Sequence, residues 1–313
     1  MTAARCLAAL VAAVALAGCG EGEPRAVAPS PGADETGRLS VFVVNYPLQY
    51  FAERIGGEGV EVVFPAPADV DPASWAPDPE TVAAYQGADL ILLNGAGYAG
   101  WVQRVSLPQS GLVDTSGGFR DQFIPLEENV THSHGPEGAH SHEGFAFTTW
   151  LDPGLAILQA QAVRNAFAKA RPDQEAAFQQ GFDALEADLL DLDQRLTAAA
   201  EAVGDTPLLF SHPVYQYLIR RYGLNGRSVH WEPDQPPTEP MWRELEELIA
   251  DHEAHWMVWE GEPMDATVER LEAMGIGSVV YTPCASAPRE GDFLSVMREN
   301  AAGLDEASAR IAL

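Results

Sequence analysis

Short apolar, β-branched runs alternate along this chain with segments whose apolar residues fall at helical spacing, an alternation that belongs to α/β architectures with parallel sheets. Residues 39–45, LSVFVVN, suit a strand buried on both faces, because the apolar character is continuous rather than alternating. YPLQYFAERIGG follows as a helix stopped at Gly56-Gly57. VEVVFPAP is a second strand, ADVDPASWAPDPE a Pro- and Asp-rich loop, TVAAYQGA a short helix, and DLILLNGAG a third strand with a Gly-rich exit. The second half repeats the grammar. PLLFSHPV, RSVHWEP, HWMVWEGEP and SVVYTPCA read as strands. YQYLIRRYG, TEPMWRELEELIADHE with Thr238 as its cap, MDATVERLEAMG and DFLSVMRENAAGLDEASARI read as helices.

Between the halves, residues 153–203 are dominated by Ala, Leu, Gln, Glu and Asp. Arg171-Pro172-Asp173 divides them, since proline is tolerated only near a helix start. The stretch beyond it offers about eight turns, on the order of 45 Å, enough for one helix to join two lobes, although two packed helices fit the same pattern. The expected fold is therefore two α/β lobes with mostly parallel sheets, joined by one long helix, with a ligand cleft between them. The expected boundaries are an N-terminal lobe at 39–153, a linking helical segment at 154–205 and a C-terminal lobe at 206–313.

The N-terminus carries an address. Arg5 precedes an apolar run, CLAALVAAVALAG, too short to span a bilayer and built like a secretory signal. It ends in Leu16-Ala17-Gly18-Cys19, which resembles the lipobox of bacterial lipoproteins and implies cleavage after residue 18 with lipidation of Cys19. Residues 19–38 are rich in Gly, Pro and charge, as a flexible tether should be. The expected location is periplasmic or cell-surface, held to the membrane by the lipid. Only Cys284 then remains in the mature chain, either a buried small hydrophobe or a soft metal ligand.

Charge narrows the ligand. Against 46 Asp and Glu stand 18 Lys and Arg, a formal net charge of -28, which repels nucleic acid and attracts cations. Half of the eight histidines fall in the tract 131–144. His132, His134, His140 and His142 form two His-x-His pairs separated by Gly135, Pro136 and Gly138, which are expected to break regular structure and leave the imidazoles free to turn toward one ion. Such tracts suit zinc, copper or nickel; a solvated polar loop is the alternative.

The order of motifs resembles the zinc- and manganese-type substrate-binding lipoproteins of bacterial ABC importers. The resemblance runs from NYPLQYFAERIGGEGVEV through ADLILLNGAGYAGW, TTWLDP, FSHPVYQYLIRRYGL and WEGEP to GDFLSVMRENAAGL, with Asn94-Gly95-Ala96-Gly97 and Trp150-Leu151-Asp152-Pro153 as its most recognisable blocks. It implies two lobes on a long rigid helix, metal between the lobes, and a His-rich loop before the second ligand. Of the four ligand positions it implies, His212 alone is kept, while Ala73, Thr148 and Thr282 occupy the others. Alanine cannot ligate, and a threonine hydroxyl is a poor zinc ligand.

Either the site has moved, with His140 or His142 standing in for the second ligand and His212 contributing from the other lobe, or the cleft has lost metal. Glu260 and Glu262 at the end of one strand, and His230 and Glu232 at the end of another, are the further candidates for a relocated shell. Asp69, Asp71 and Asp78 are loop carboxylates that more often cap turns, and His252 and His255 follow a charged helix and are expected to be exposed.

The function expected is an extracytoplasmic protein that captures a divalent transition metal, zinc before manganese or copper, and delivers it to an ABC permease in the cytoplasmic membrane without chemistry on its ligand. Affinity would fall as metal-binding histidines protonate, around pH 6.5. The alternatives are a His loop that gathers metal beside a cleft for another solute, a surface adhesin, or a metalloenzyme with three protein ligands and a water. No HExxH, GxSxG or Walker loop supports the last. Trp75, Trp101, Trp150, Trp231 and Trp259 would suit stacking on a sugar or choline, but one per element is a core pattern.

Overall fold

The computed structural model describes residues 37–68, 70–126, 131–133, 139–141 and 144–311. Residues 1–18, Cys19 and the tether up to residue 36 lie outside them, as do Asp69, His134 and His142.

Strands β1 (Leu39–Val43), β2 (Val60–Val63), β3 (Leu90–Leu93) and β4 (Leu112–Asp114) form a wholly parallel sheet in the order β2-β1-β3-β4. Helix α1 (Tyr46–Gly56) starts at Asn45, whose side chain accepts the Leu48 N–H, and stops where Gly57 turns to a φ of 51°. Helix α2 (Pro79–Gly87) begins two residues earlier than its sequence suggests, because the Asp78 carboxylate takes the Thr81 N–H and Pro79 fits the first turn. Asp71 likewise accepts the Ala73 N–H, so both loop aspartates are capping groups.

Two features depart from the sequence reading. Strand β4 was not anticipated. The histidine tract, expected to be irregular, pairs its ends as an antiparallel ladder, β5 (Thr131–Ser133) against β6 (Ala139–Ser141), with His132 opposite His140. The breakers Gly135, Pro136 and Gly138 lie outside the described residues.

Helix α3 (Pro153–Ala170) is capped by Asp152, which accepts the Gly154 and Leu155 N–H groups, with Pro153 in the first turn. A short 3-10 turn at Pro172–Gln174 divides it from α4 (Glu175–Val203), one unbroken 29-residue helix. The two run antiparallel, since Phe167 packs on Phe178 and Arg164 lies over Phe182. Along α4, Phe178, Phe182, Leu185, Leu189, Leu192 and Leu196 are buried at alternating spacings of four and three, the seam a packed helix needs.

The second sheet, also wholly parallel, is ordered β10-β9-β7-β8, from β7 (Leu208–Phe210), β8 (Gly226–Ser228), β9 (Trp256–Trp259) and β10 (Gly277–Val280). Its helices are α5 (Gln216–Tyr222), α6 (Glu239–His252), α7 (Asp265–Ala273) and α8 (Phe293–Ile311). Helix α4 packs against α1, α3 and α8, so it carries elements of both lobes. Direct bonds also join them: Phe51 meets Phe293 edge-on at 5.4 Å, Trp150 Nε1 donates to Pro283 O at 2.7 Å, and Tyr46 N donates to Ala285 O at 2.9 Å.

His252 is not exposed as its charged helix suggested: it is buried, with Nε2 3.0 Å from Leu208 O. His255 is exposed. Trp101, Trp150, Trp231 and Trp259 are buried core residues, which removes the stacking-platform alternative for them. No described helix is long and apolar enough to cross a membrane.

Candidate metal centre

Parallel strands end at a common edge, and side chains just beyond their C-terminal ends share a crevice. His212 stands two residues past β7, Glu260 directly after β9, and Glu232 four residues past β8. Because β7 lies between β9 and β8, these three loops are neighbours. One ligand atom from each of His212, Glu232 and Glu260 lies within 4.8 Å of the others, the one grouping of at least three His, Cys, Asp or Glu among the described residues that could hold an ion.

His212 Nδ1 and Glu260 Oε1 are 3.1 Å apart, with only 7% and 19% of the two side chains exposed. A carboxylate accepts, so Nδ1 donates to it here; an ion entering between the two would displace that proton and take both atoms, since ligating groups must be deprotonated. The His230 ring stands edge-on to His212 at 6.1 Å. Partial desolvation, and then the charge of His212, lower its pKa, which favours the neutral ring. Glu262 lines the same cleft without joining the group of three.

The cleft has a volume of about 1370 Å³, and its opposite wall comes from the first lobe. Ala73 lies there with Val70 and Pro72. Thr148 is buried and gives its hydroxyl proton to Val214 O on the C-terminal side, so the position where the family resemblance implies a ligand serves as a strut. Thr282 is held by Asn300, which accepts its N–H at 3.0 Å and donates to its carbonyl at 2.8 Å. Cys284 lines the cleft but is buried, and its thiol pKa is pushed up to about 12 by burial and the charge of Asp292, which argues against the soft-ligand role. His132 and His140 are described by their backbone pairing alone, and His134 and His142 lie outside the described residues.

Two cleft residues drew no notice in the sequence, Tyr98 and Arg289. Arg289 was findable in principle as an isolated cation in a strongly acidic chain. Tyr98 carries no sequence signal that separates it from a core aromatic.

Comparison with known proteins follows the same line. The zinc-binding lipoprotein AdcA of Streptococcus pneumoniae is 25% identical over 281 residues, covering 86% of this chain and 56% of AdcA, so the chain spans about half the length of that relative. The high-affinity zinc uptake system protein ZnuA of Bacillus subtilis is 26% identical over 304 residues, covering 91% of each. The crystal structure of the metal-dependent lipoprotein YcdH of Bacillus subtilis superposes with a TM-score of 0.73 at 21% identity, over 86% of this chain and 98% of that one. The Zn(II)-bound ZnuA-like domain of Streptococcus pneumoniae AdcA gives 0.73 at 20%, over 87% and 99%. These two likenesses establish the fold. The family described as ZnuA, zinc-uptake complex component A, periplasmic, matches residues 41–307, from the first strand into the last helix. Spanning both sheets and the helices that join them, that match makes the chain a member of the ZnuA family of periplasmic zinc-uptake components.

Proposed function

We propose that this protein captures zinc outside the cytoplasm and releases it to an ABC permease, with His212, Glu232 and Glu260 as the ligands that hold the ion. The observation that carries the reading is the convergence of one imidazole and two carboxylates at the C-terminal strand ends, within 4.8 Å of one another, inside the interlobe cleft of a zinc-uptake-family fold. Nitrogen and carboxylate oxygen are donors zinc accepts in four-coordinate sites. His212 contributes Nδ1 and Glu260 its Oε1, 3.1 Å apart, and the His230 ring stands edge-on to His212 at 6.1 Å. The site has thus moved onto the C-terminal lobe, away from Ala73 and Thr148. The histidines at 132, 134, 140 and 142 gather metal for the site, and Cys19 carries the lipid that keeps the protein beside its permease. The likeness to AdcA and ZnuA, a zinc-binding lipoprotein and a zinc-uptake protein, supports this.

Calorimetric titration with zinc, manganese and copper tests it, repeated on His212→Ala and on protein lacking residues 132–142. One tight zinc site that His212→Ala removes and the loop deletion leaves in place supports the reading. Binding that vanishes with the loop and ignores His212 would sink it.

A further inference from the structure

Every ligand atom of the cluster stands on the C-terminal lobe. Zinc completes four positions, and one imidazole with two carboxylates fills three, so a bound ion keeps a face open toward the cleft. Across that space the described residues of the first lobe offer Val70, Pro72, Ala73, the Asp71 carboxylate that caps the Ala73 N–H, and a threonine hydroxyl already given to Val214 O. Among the described residues, a bare ion finds on that wall a single carboxylate, one of whose oxygens is already engaged by the Ala73 N–H. The cleft is also far larger than an ion needs: about 1370 Å³, against roughly 300–1,000 Å³ for ordinary small-molecule pockets.

Two polar groups on the cleft wall suit an organic anion and not a metal cation. Arg289 is the one Lys or Arg among the lining residues, and it has no carboxylate partner among the described residues, in a chain with 46 acidic side chains. A guanidinium repels an approaching dication and clasps a carboxylate in two parallel hydrogen bonds. Tyr98 is 7% exposed, and its buried hydroxyl has no hydrogen-bond partner among the described residues. Burial above all, with the charges of Asp71 and Tyr85, drives its pKa well above the ordinary value, so it remains a neutral donor and not a phenolate ligand. An orphaned buried hydroxyl on a cleft wall calls for an acceptor oxygen.

We infer that the cargo is a zinc chelate: an ion already held by a small organic molecule bearing carboxylates, with the metal end on His212, Glu232 and Glu260, a carboxylate on Arg289, and the body of the chelator against the first lobe beside Tyr98. This rests on the proposed zinc site. The chelator then supplies the contacts across the cleft that Ala73 and Thr148 do not.

The full chain is titrated with zinc chloride alone and with zinc premixed with equimolar citrate, malate or histidine, and the bound species are weighed by native mass spectrometry. The expected result is a one-to-one-to-one complex of protein, zinc and at least one of these chelators, formed about tenfold or more tightly than the complex with zinc alone. Arg289→Gln removes that gain and changes binding of zinc alone by less than about twofold. If all three chelators merely strip zinc from the protein and no spectrum carries a chelator mass, the inference is overturned while the zinc site stands. If zinc fails to bind with or without chelator, or binds unaltered to Glu232→Gln/Glu260→Gln, the site itself is wrong and both readings fall.

Discussion

His212 and Glu260 are 48 positions apart in sequence, yet their Nδ1 and Oε1 atoms meet at 3.1 Å. Both atoms would close on one ion, and until it arrives each holds the other in place. Their effects on zinc affinity should therefore be coupled. Glu260→Gln is expected to weaken zinc binding by about 10- to 100-fold in wild type and by much less in a His212→Ala background. Competition against a chromophoric chelator measures both steps of this cycle, and additive losses would show that the pair does not act as a unit.

Cys284 shows the opposite, a potential ligand that its surroundings silence. It is 3% exposed, with its thiol raised to about 12. At pH 8 the thiolate fraction is on the order of a thousandfold below that of an ordinary thiol with a pKa near 8.5, before any loss of access is counted. In a chain starting at Gly20, where Cys284 is the sole cysteine, native protein should react with Ellman's reagent only on the timescale of unfolding. Urea should restore one prompt equivalent. Prompt labelling without denaturant, or protection by zinc, would return Cys284 to the list of ligands.

The strands were legible because a strand buried on both faces is written as a continuous apolar run, as in LSVFV and LLF. Strand β4 is three residues, none fully buried, and carries no such signal. The β5–β6 ladder was hidden because Gly and Pro report on local backbone freedom, whereas pairing of His132 with His140 depends on two segments meeting. His212, Glu232 and Glu260 were visible singly as polar residues at strand ends. Their convergence was not, because it depends on β7 lying between β9 and β8, and strand order is a property of the sheet. His252 was misjudged for a related reason: its helix is charged on one face, and its own ring lies on the other, against Leu208 O.

Asp292 links the start of α8 to the first lobe. Its carboxylate accepts the Ser295 N–H at 2.8 Å and the Tyr50 hydroxyl proton at 3.3 Å, while Ser295 Oγ accepts the Asp292 N–H. Partial burial pushes its pKa up, but the bonds from Ser295 and Tyr50 and the charge of Arg54 outweigh it and leave the pKa lowered. A depressed folded pKa means the charged carboxylate stabilises the fold above the unfolded value, and this is lost as pH falls through the folded value. Replacing Asp292 with Ala should cost about 1 kcal/mol at pH 7, the usual worth of a helix cap, and progressively less below about pH 4. Urea midpoints of the two proteins from pH 7 to pH 3 measure the difference, and a gap that widens on acidification would refute the sign.

Gly181 sits inside α4, where helix propensity alone says that Gly181→Ala stabilises by about 1 kcal/mol. The neighbouring helix decides otherwise. A Cβ at 181 would lie 2.6 Å from Ile55 O, 2.7 Å from Arg54 O and 2.9 Å from Ile55 Cα, all backbone atoms at the end of α1 that cannot swing away. Forcing a methyl group into such a contact costs typically about 1–3 kcal/mol, because whole elements must shift. The same seam carries the Arg54–Asp188 ion pair at 2.6 Å, and Arg298 of α8 reaches Asp188 from the other side at 3.4 Å, so pushing α1 off α4 disturbs the junction of both lobes. Because the atoms met are backbone, the packing penalty should lie at the top of that range and exceed the propensity gain, leaving Gly181→Ala net destabilised by about 2 kcal/mol, or about 4 °C in melting temperature for a chain of this size. Differential scanning calorimetry with and without zinc reads it, and a variant that melts higher than wild type would mean that α1 and α4 are not packed this closely.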